Sequence, residues 1–487
     1  MPSTLFVAAS LVSSLVSGAF AYSDTCNTNV AGYWGQNSYG AVYTTDTANW
    51  QQRLSYYCQD NSLDVIPIAF VPTFQSTGGY PVLNLGNTCN STNAQYFTGT
   101  SLLNCQFLAA DIQTCQSKGK KVTISLGGGG AGLGTLDASF ADQLWNLFLG
   151  GTSSDRPFGT AVLDGVDLDI ESGSGPYTAF VNQLRSHFSG ASKKYYITAA
   201  PQCAYPDAAL MSTLNAASFD AIYVQFYNTG YCAVTQYGTT GFNFGNWDYW
   251  ANRISPNPSI KVYLGVPAST SAGSGYVSAS QVGVVAADLQ KKFPSFGGVM
   301  FWDESQAYVN GRFDTGVKNA ITASGSCSSF VYPSCTAQAW SASGNYAAGA
   351  QVTYDNYIWQ ARYAASGTPT PGDFTSWLPI SACGGSSGTG TTTTTTKASS
   401  TSTTTTKAST TTTTTSTKAS STTTSSTATT TTSGSSICSG IAAWSSTTAY
   451  VGGSYVTYNG QLWENSYWSE ADTPGGTAGV WVSKGSC

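Results

Sequence analysis

Two hydrophobic periods alternate along residues 26–327. Short apolar or alternating runs at 30–34, 65–71, 121–127, 163–171, 195–200, 221–227, 261–266 and 298–302 fit β-strands, whose side chains repeat every two residues. At 139–149, 176–188 and 280–292, apolar positions recur every three or four residues and predict amphipathic helices. In the run 163–171 apolar and acidic residues alternate: Val166, Leu168 and Ile170 share one face, and Asp167, Asp169 and Glu171 share the other. Eight strands alternating with helices over about 300 residues predict an α/β fold, a (β/α)8 TIM barrel. A doubly wound sheet is the alternative, but the glycine-rich phosphate turn expected after its first strand is missing. Ser125-Leu126-Gly127-Gly128-Gly129-Gly130 follows a strand without the Gly-Lys-Ser/Thr ending of a phosphate loop. It reads as a tight loop that lets backbone approach a ligand.

Past residue 327 the pattern changes. Residues 384–436 are Gly/Ser and then almost wholly Thr and Ser, a composition that buries no core and predicts an extended, O-glycosylated linker. On either side lie two β-rich segments, 328–383 and 437–487, related by a constant offset of 104 residues. Trp340, Tyr346, Gly349, Val352, Tyr354, Trp359, Tyr363, Trp377 and Cys383 recur as Trp444, Tyr450, Gly453, Val456, Tyr458, Trp463, Tyr467, Trp481 and Cys487, which marks a duplication. Modules this small need aromatic side chains and a disulfide for a core. Trp340/Trp444 and Trp359/Trp463 are assigned to that core, and Tyr363, Tyr467 and Trp468 to an exposed binding face. Ala364 stands where the second copy has Trp468, so the first copy is expected to bind more weakly. At the other end, the apolar run 5–16 and the Ala19-Phe20-Ala21 cleavage pattern make 1–21 a secretory signal, leaving 22–327 for the barrel.

Composition narrows the chemistry. Only 9% of residues are charged, the net charge is −5, and no basic run exists, which argues against nucleic acid. No stretch is long and apolar enough to span a membrane. The chain carries 13 Trp, 29 Tyr and 21 Phe, a bias that suits neutral carbohydrate, whose C–H faces stack on rings. The single histidine, His187, reads as a solvated helix residue, so a Ser-His-Asp triad and a multi-histidine metal site are both disfavoured. The 12 cysteines of an exported chain should pair. Spacing suggests Cys58–Cys115, Cys89–Cys105, Cys203–Cys232, Cys335–Cys383 and Cys438–Cys487, leaving Cys26 and Cys327 to staple the ends of the barrel. Asn90-Ser91-Thr92 is a glycosylation sequon.

Three carboxylates stacked on one apolar strand repel one another, so at least one must keep its proton to higher pH than usual. Such a group can serve as a general acid. A salt-bridged or metal-binding strand is the competing reading of the same spacing.

Asp164-Gly165-Val166-Asp167-Leu168-Asp169-Ile170-Glu171 resembles the DGxDxDxE signature of family 18 glycoside hydrolases, the chitinases. Ser125-Leu126-Gly127-Gly128, Ala199-Ala200-Pro201-Gln202-Cys203, Gln225-Phe226-Tyr227-Asn228 and Gly298-Val299-Met300-Phe301-Trp302 resemble further motifs of its plant- and fungal-type (class III) branch. The two repeats resemble chitin-binding modules of families 5 and 12. The resemblance implies a secreted, monomeric endochitinase with chitin and chitooligosaccharides as partners and no metal or cofactor. It also implies a mechanism in which the substrate's 2-acetamido oxygen is the nucleophile. Glu171 is then the acid and base, Asp169 the group that holds the acetamido N–H, and Asp167 the acid behind it. Tyr227 binds the acetamido oxygen, Trp302 floors the cleavage subsite, and Gln225, Tyr33 and Gln202 are further substrate contacts. A chitin-binding lectin or wall-adhesion protein, and an endo-β-N-acetylglucosaminidase acting on N-glycans, stand as alternatives.

Overall fold

The computed structural model describes residues 22–130, 132, 134–173, 175–384, 438, 441–446, 449–450, 455–465, 469–470, 473–476 and 481–487. The signal sequence expected at 1–21, nearly all of the linker, Tyr467 and Trp468 lie outside the described residues. Among the described residues, no helix is long and apolar enough to cross a membrane.

Eight parallel strands close a barrel in chain order: β1 (Asn29–Gly32), β2 (Val65–Val71), β3 (Lys121–Gly127), β4 (Gly165–Asp169), β5 (Tyr196–Ala199), β6 (Ala221–Gln225), β7 (Lys261–Pro267) and β8 (Phe296–Trp302). Closure comes from β1 pairing with β8, with Val30 opposite Val299. The TIM-barrel expectation is met, strand for strand. Continuous apolar runs such as β2 work here because both faces are covered, one by the barrel interior and one by the helices. The helices over 139–149, 176–188 and 280–292 form as Ala138–Phe148, Thr178–Ser189 and Ala279–Lys292. Asp137 caps the first through Phe140 N, and Ser278 and Gln281 form a capping box on the third.

Val166, Leu168 and Ile170 belong to the large core between strands and helices. A second cluster, with Tyr33, Phe70, Tyr223, Tyr227 and Met300, fills the barrel interior. Asp167 and Asp169 face that interior and are almost wholly buried. His187 is not simply solvated: its Nε2 lies 2.7 Å from Asp142 and its ring stacks on Trp145, tying two neighbouring helices together. All six disulfides join the pairs expected from spacing, including Cys26–Cys327 across 301 residues.

The first repeat is a three-stranded antiparallel sheet of β9 (Gln351–Tyr354), β10 (Tyr357–Ala361) and β11 (Trp377–Ala382). Its core holds Tyr346, Val352, Tyr357, Trp359 and Trp377, with Trp340 at the edge, and it packs on the barrel helix Phe244–Arg253 within one compact unit. The second repeat adds β12 (Ala449–Tyr450), β13 (Tyr455–Tyr458), β14 (Gln461–Asn465), β15 (Ser469–Glu470) and β16 (Trp481–Ser486) in a separate unit. β13, β14 and β16 repeat the bounds of β9, β10 and β11 at the sequence offset, residue for residue. Trp359 Nε1 donates to Tyr354 O at 2.9 Å, and Trp463 Nε1 to Tyr458 O at 3.1 Å. The duplication is thus one of structure as well as sequence.

Candidate active site

Register builds the site. Strand β4 lies between β3 and β5 with Ser125, Asp167 and Thr198 side by side, and neighbours in register point to the same face. Asp167 Oδ2 accepts hydrogen bonds from Tyr33 Oη and Ser125 Oγ, both at 2.7 Å, while its Oδ1 accepts from Thr198 Oγ1 at 2.6 Å. Two residues on, Asp169 sits closer to the mouth. Gln225 Nε2, at the end of β6, donates to Asp169 Oδ1 at 2.9 Å, to Glu171 Oε1 at 3.2 Å and to Ala200 O at 3.0 Å. One amide therefore joins the two outer carboxylates.

Glu171 lies just past the end of β4, where Gly128 N bonds Asp169 O at 2.8 Å and turns the neighbouring loop away. That turn needs glycine: Gly127 has φ 107°, and a Cβ there would stand 2.3 Å from Asp169 O. A Cβ on Gly129 would come within 2.9 Å of Glu171 Oε2. Gly127, Gly128, Gly129 and Gly130 all line a cleft of about 560 Å³ together with Asp169, Glu171, Tyr227 and Trp302. Trp302 stacks on Phe70 at 5.6 Å between centroids and 11° between planes, forming an aromatic wall.

Burial pushes all three carboxyls above their ordinary range. For Asp167 the three hydroxyls oppose the rise by favouring its ionised form. Asp169 rises furthest, through burial first and then the charges of Glu171 and Asp167, with Gln225 the only donor pulling it back. Three acids this close retain protons as a group. Because Asp169 rises furthest and Gln225 bridges it to Glu171, the proton the group holds longest falls to that pair. Burial likewise drives the Tyr227 and Tyr33 hydroxyls up, so both stay neutral donors. Among the described residues no group of three or more His, Cys, Asp or Glu side chains is placed to hold a metal ion.

The family model of the glycosyl hydrolases family 18 matches residues 29–361. The chain belongs to that family. A second model, carbohydrate-binding module family 5/12, matches 443–482, within the second repeat. Among curated family 18 relatives, "Chitinase 2" of Rhizopus oligosporus is 47% identical over 304 residues, covering 61% of this chain and 53% of that protein. "Endochitinase 33" of Trichoderma harzianum is 41% identical over 335 residues, covering 66% of this chain and all of that protein. The chain spans about half the length of the first relatives it matches, at 53% and 59%. Among solved structures, the ICChI chitinase of Ipomoea carnea matches with a TM-score of 0.50 at 32% identity, over 60% of this chain and 99% of that one.

Within this family 18 barrel the structure brings Glu171, Asp169, Tyr227 and Trp302 to the cleft, with Asp167, Tyr33 and Gln225 directly beneath. Gln202 is not among the cleft-lining residues; its backbone N donates to Asp207 at 3.0 Å. Tyr363 is 59% exposed on the first repeat. Asn90 is half-buried, its Oδ1 accepting from Thr92 N at 2.8 Å and Thr92 Oγ1 at 2.6 Å. Sequence reasoning passed over Ser38, Asn84 and Asn228 in the lining, and Thr198 beneath it. Thr198 had a usable signal, since it pairs in register with Asp167 on the next strand. Ser38 opens a five-residue helix, Ser38–Val42, and Asn84 sits in the long loop after β2, segments too short or irregular for any periodicity to reach.

Proposed function

We propose that the chain is a secreted endochitinase, hydrolysing internal β-1,4-N-acetylglucosaminide bonds with retention and substrate assistance. One observation carries this reading. Among the described residues the only carboxylates lining the cleft, Asp169 and Glu171, stand two residues apart at the end of one strand, so no carboxylate faces them from another wall of the cleft. An ordinary retaining glycosidase needs a second carboxylate across the bond as nucleophile. A 2-acetamido group supplies that nucleophile from the substrate itself.

In this mechanism Glu171 protonates the glycosidic oxygen as the acetamido oxygen closes on the anomeric carbon. Asp169 accepts the acetamido N–H and balances the charge of the oxazolinium intermediate, while neutral Tyr227 donates to the acetamido oxygen. Glu171, now ionised, takes a proton from the water that opens the ring. Asp167, held by three hydroxyls, sits behind Asp169, shares a proton with it and tunes the proton affinity of both. The β7–β8 connection holds one helix, Ala279–Lys292, and no inserted domain, which leaves the cleft open-sided and favours internal cleavage. The disulfides fit an exported, extracellular or wall-associated protein, and the repeats fit attachment to chitin. We assign it as a monomer, glycosylated at Asn90.

Glu171→Gln tests the assignment. Release of chitooligosaccharides should vanish while binding to insoluble chitin persists. Equal release from this variant would sink the catalytic reading and leave a chitin-binding protein.

A further inference from the structure

The first repeat does not hang from the barrel as a tethered module. Tyr357 Oη donates to the buried Asp248 at 2.7 Å, and Arg253 Nε donates to Asp355 at 2.9 Å. Asp373 is gripped by barrel groups from two loops and a helix. It accepts from Tyr205 N at 2.7 Å, Asn243 Nδ2 at 2.5 Å and Tyr231 Oη at 3.2 Å. The residues that make this docking are not repeated in the second copy. At the matching positions the second copy has Asn459 for Asp355, Gln461 for Tyr357 and Thr477 for Asp373.

Tyr205 and Tyr231 stand in the loops after β5 and β6, at the barrel end where the cleft opens. Next to Asp373, Phe374 faces Tyr231 with ring centroids 6.0 Å apart, and the two rings are 71% and 37% exposed. A phenylalanine left this open by a well-packed interface is an apolar surface that no other described residue covers. The second copy has Ala478 at that position. Tyr231 follows cleft-lining Asn228 by three residues, so no more than ~11 Å of extended chain separates its backbone from that of the cleft. The Cys203–Cys232 disulfide pins that loop.

We propose that Phe374 and Tyr231 form a sugar-stacking platform that continues the cleft, binding the part of a β-1,4-linked N-acetylglucosamine chain that extends past it. The first repeat is then a fixed wall of the substrate track. This inference rests on the endochitinase reading and adds a polymer-length specificity to it.

The test compares the full chain with Phe374→Ala and Phe374→Trp. Each is assayed on a fluorogenic N-acetylglucosamine trimer glycoside and on a long soluble chitin derivative. The quantity read is the ratio of kcat/KM on polymer to kcat/KM on trimer. It should fall about threefold to tenfold in Phe374→Ala, the worth of one aromatic stacking contact, and return in Phe374→Trp. An unchanged ratio overturns the platform. A ratio lowered equally in both variants also overturns it, since loop distortion would then be responsible in place of stacking. A drop in melting temperature without a change in ratio overturns it too, by assigning Phe374 to packing against another part of the chain. If the unaltered chain hydrolyses neither substrate, the endochitinase reading falls and the platform falls with it.

Discussion

Gln225→Leu isolates the proton chemistry of the site. Leucine keeps the volume of a residue that is 5% exposed but removes the amide that donates to Asp169, Glu171 and Ala200 O. Donation to a carboxylate favours its charged form, so losing it raises carboxyls that burial has already raised. A hydrogen bond to a charged acceptor contributes about 1.5–3 kcal/mol. Divided between two carboxylates, that becomes roughly 0.5–1 pKa unit on each, at 1.36 kcal/mol per unit. If Glu171 acts first as an acid, as proposed, activity is lost on the alkaline side as its proton leaves. The alkaline limb of the kcat/KM profile should therefore move to higher pH by about 0.5–1 unit. The value at the optimum should fall about 10- to 100-fold as the pair loses its fixed orientation. Stability follows the same sign. Above the ordinary values of 3.8 for Asp169 and 4.5 for Glu171, the unfolded chain releases protons that the folded chain keeps. Unfolding therefore becomes easier as pH rises through that window, more steeply in Gln225→Leu. The assay is a pH series on a soluble oligomer, paired with thermal melts. An alkaline limb that stays in place or moves to lower pH would refute the reasoning.

Two further outcomes are expected. Tyr33→Phe removes one of the three hydroxyls on Asp167, raises that carboxyl further and should shift the acid limb upward by about 1–2 units; an unmoved acid limb would remove Asp167 from the titrating group. Ending the chain after residue 384 should weaken binding to insoluble chitin without lowering the melting temperature. Ending it after 327 strips Tyr357 from Asp248 and uncovers Tyr249, and should lower the melting temperature by roughly 5 °C or more. Equal melting of the two truncations, read by calorimetry, would show that the first repeat contributes nothing to the barrel.

Two kinds of information were legible in the sequence. Short apolar or alternating runs located all eight barrel strands, because strands buried on both faces leave unbroken apolar stretches. The alternation of Asp167, Asp169 and Glu171 with apolar neighbours was enough by itself to put three acids on one face. What surrounds them was less visible. Gln202 ends a strand with a polar side chain, as Gln225 does, yet only Gln225 reaches the carboxylates, a difference set by the closure of the barrel. Thr198 looked like any β-branched strand residue until register set it beside Asp167. Asp248, Asp355 and Asp373 stand in no motif, and only their contacts show that they join the first repeat to the barrel. A comparison of the two repeats holds the trace of that docking, in the positions where they differ. The identities alone describe the shared core.

Those differences and the paired carboxylates lead to one account of selectivity. Asp169 and Glu171 stand two residues apart at one strand end, so on the proposed mechanism the cleft presents acid and charge on one side and, among the described residues, no carboxylate on the other. A β-1,4-linked glucose chain has the same linkage and similar stacking faces, so it could lie against Trp302 and Phe70, but it lacks a group to attack its own anomeric carbon. Discrimination between the two polymers then falls on the reaction step and not on binding. Stacking surfaces can be plentiful and permissive on such a protein, as its aromatic content suggests. On the proposed mechanism substrate choice is enforced at a single point by the substrate's own acetamido group, and Asp167, Asp169, Glu171 and Tyr227 need only hold it there.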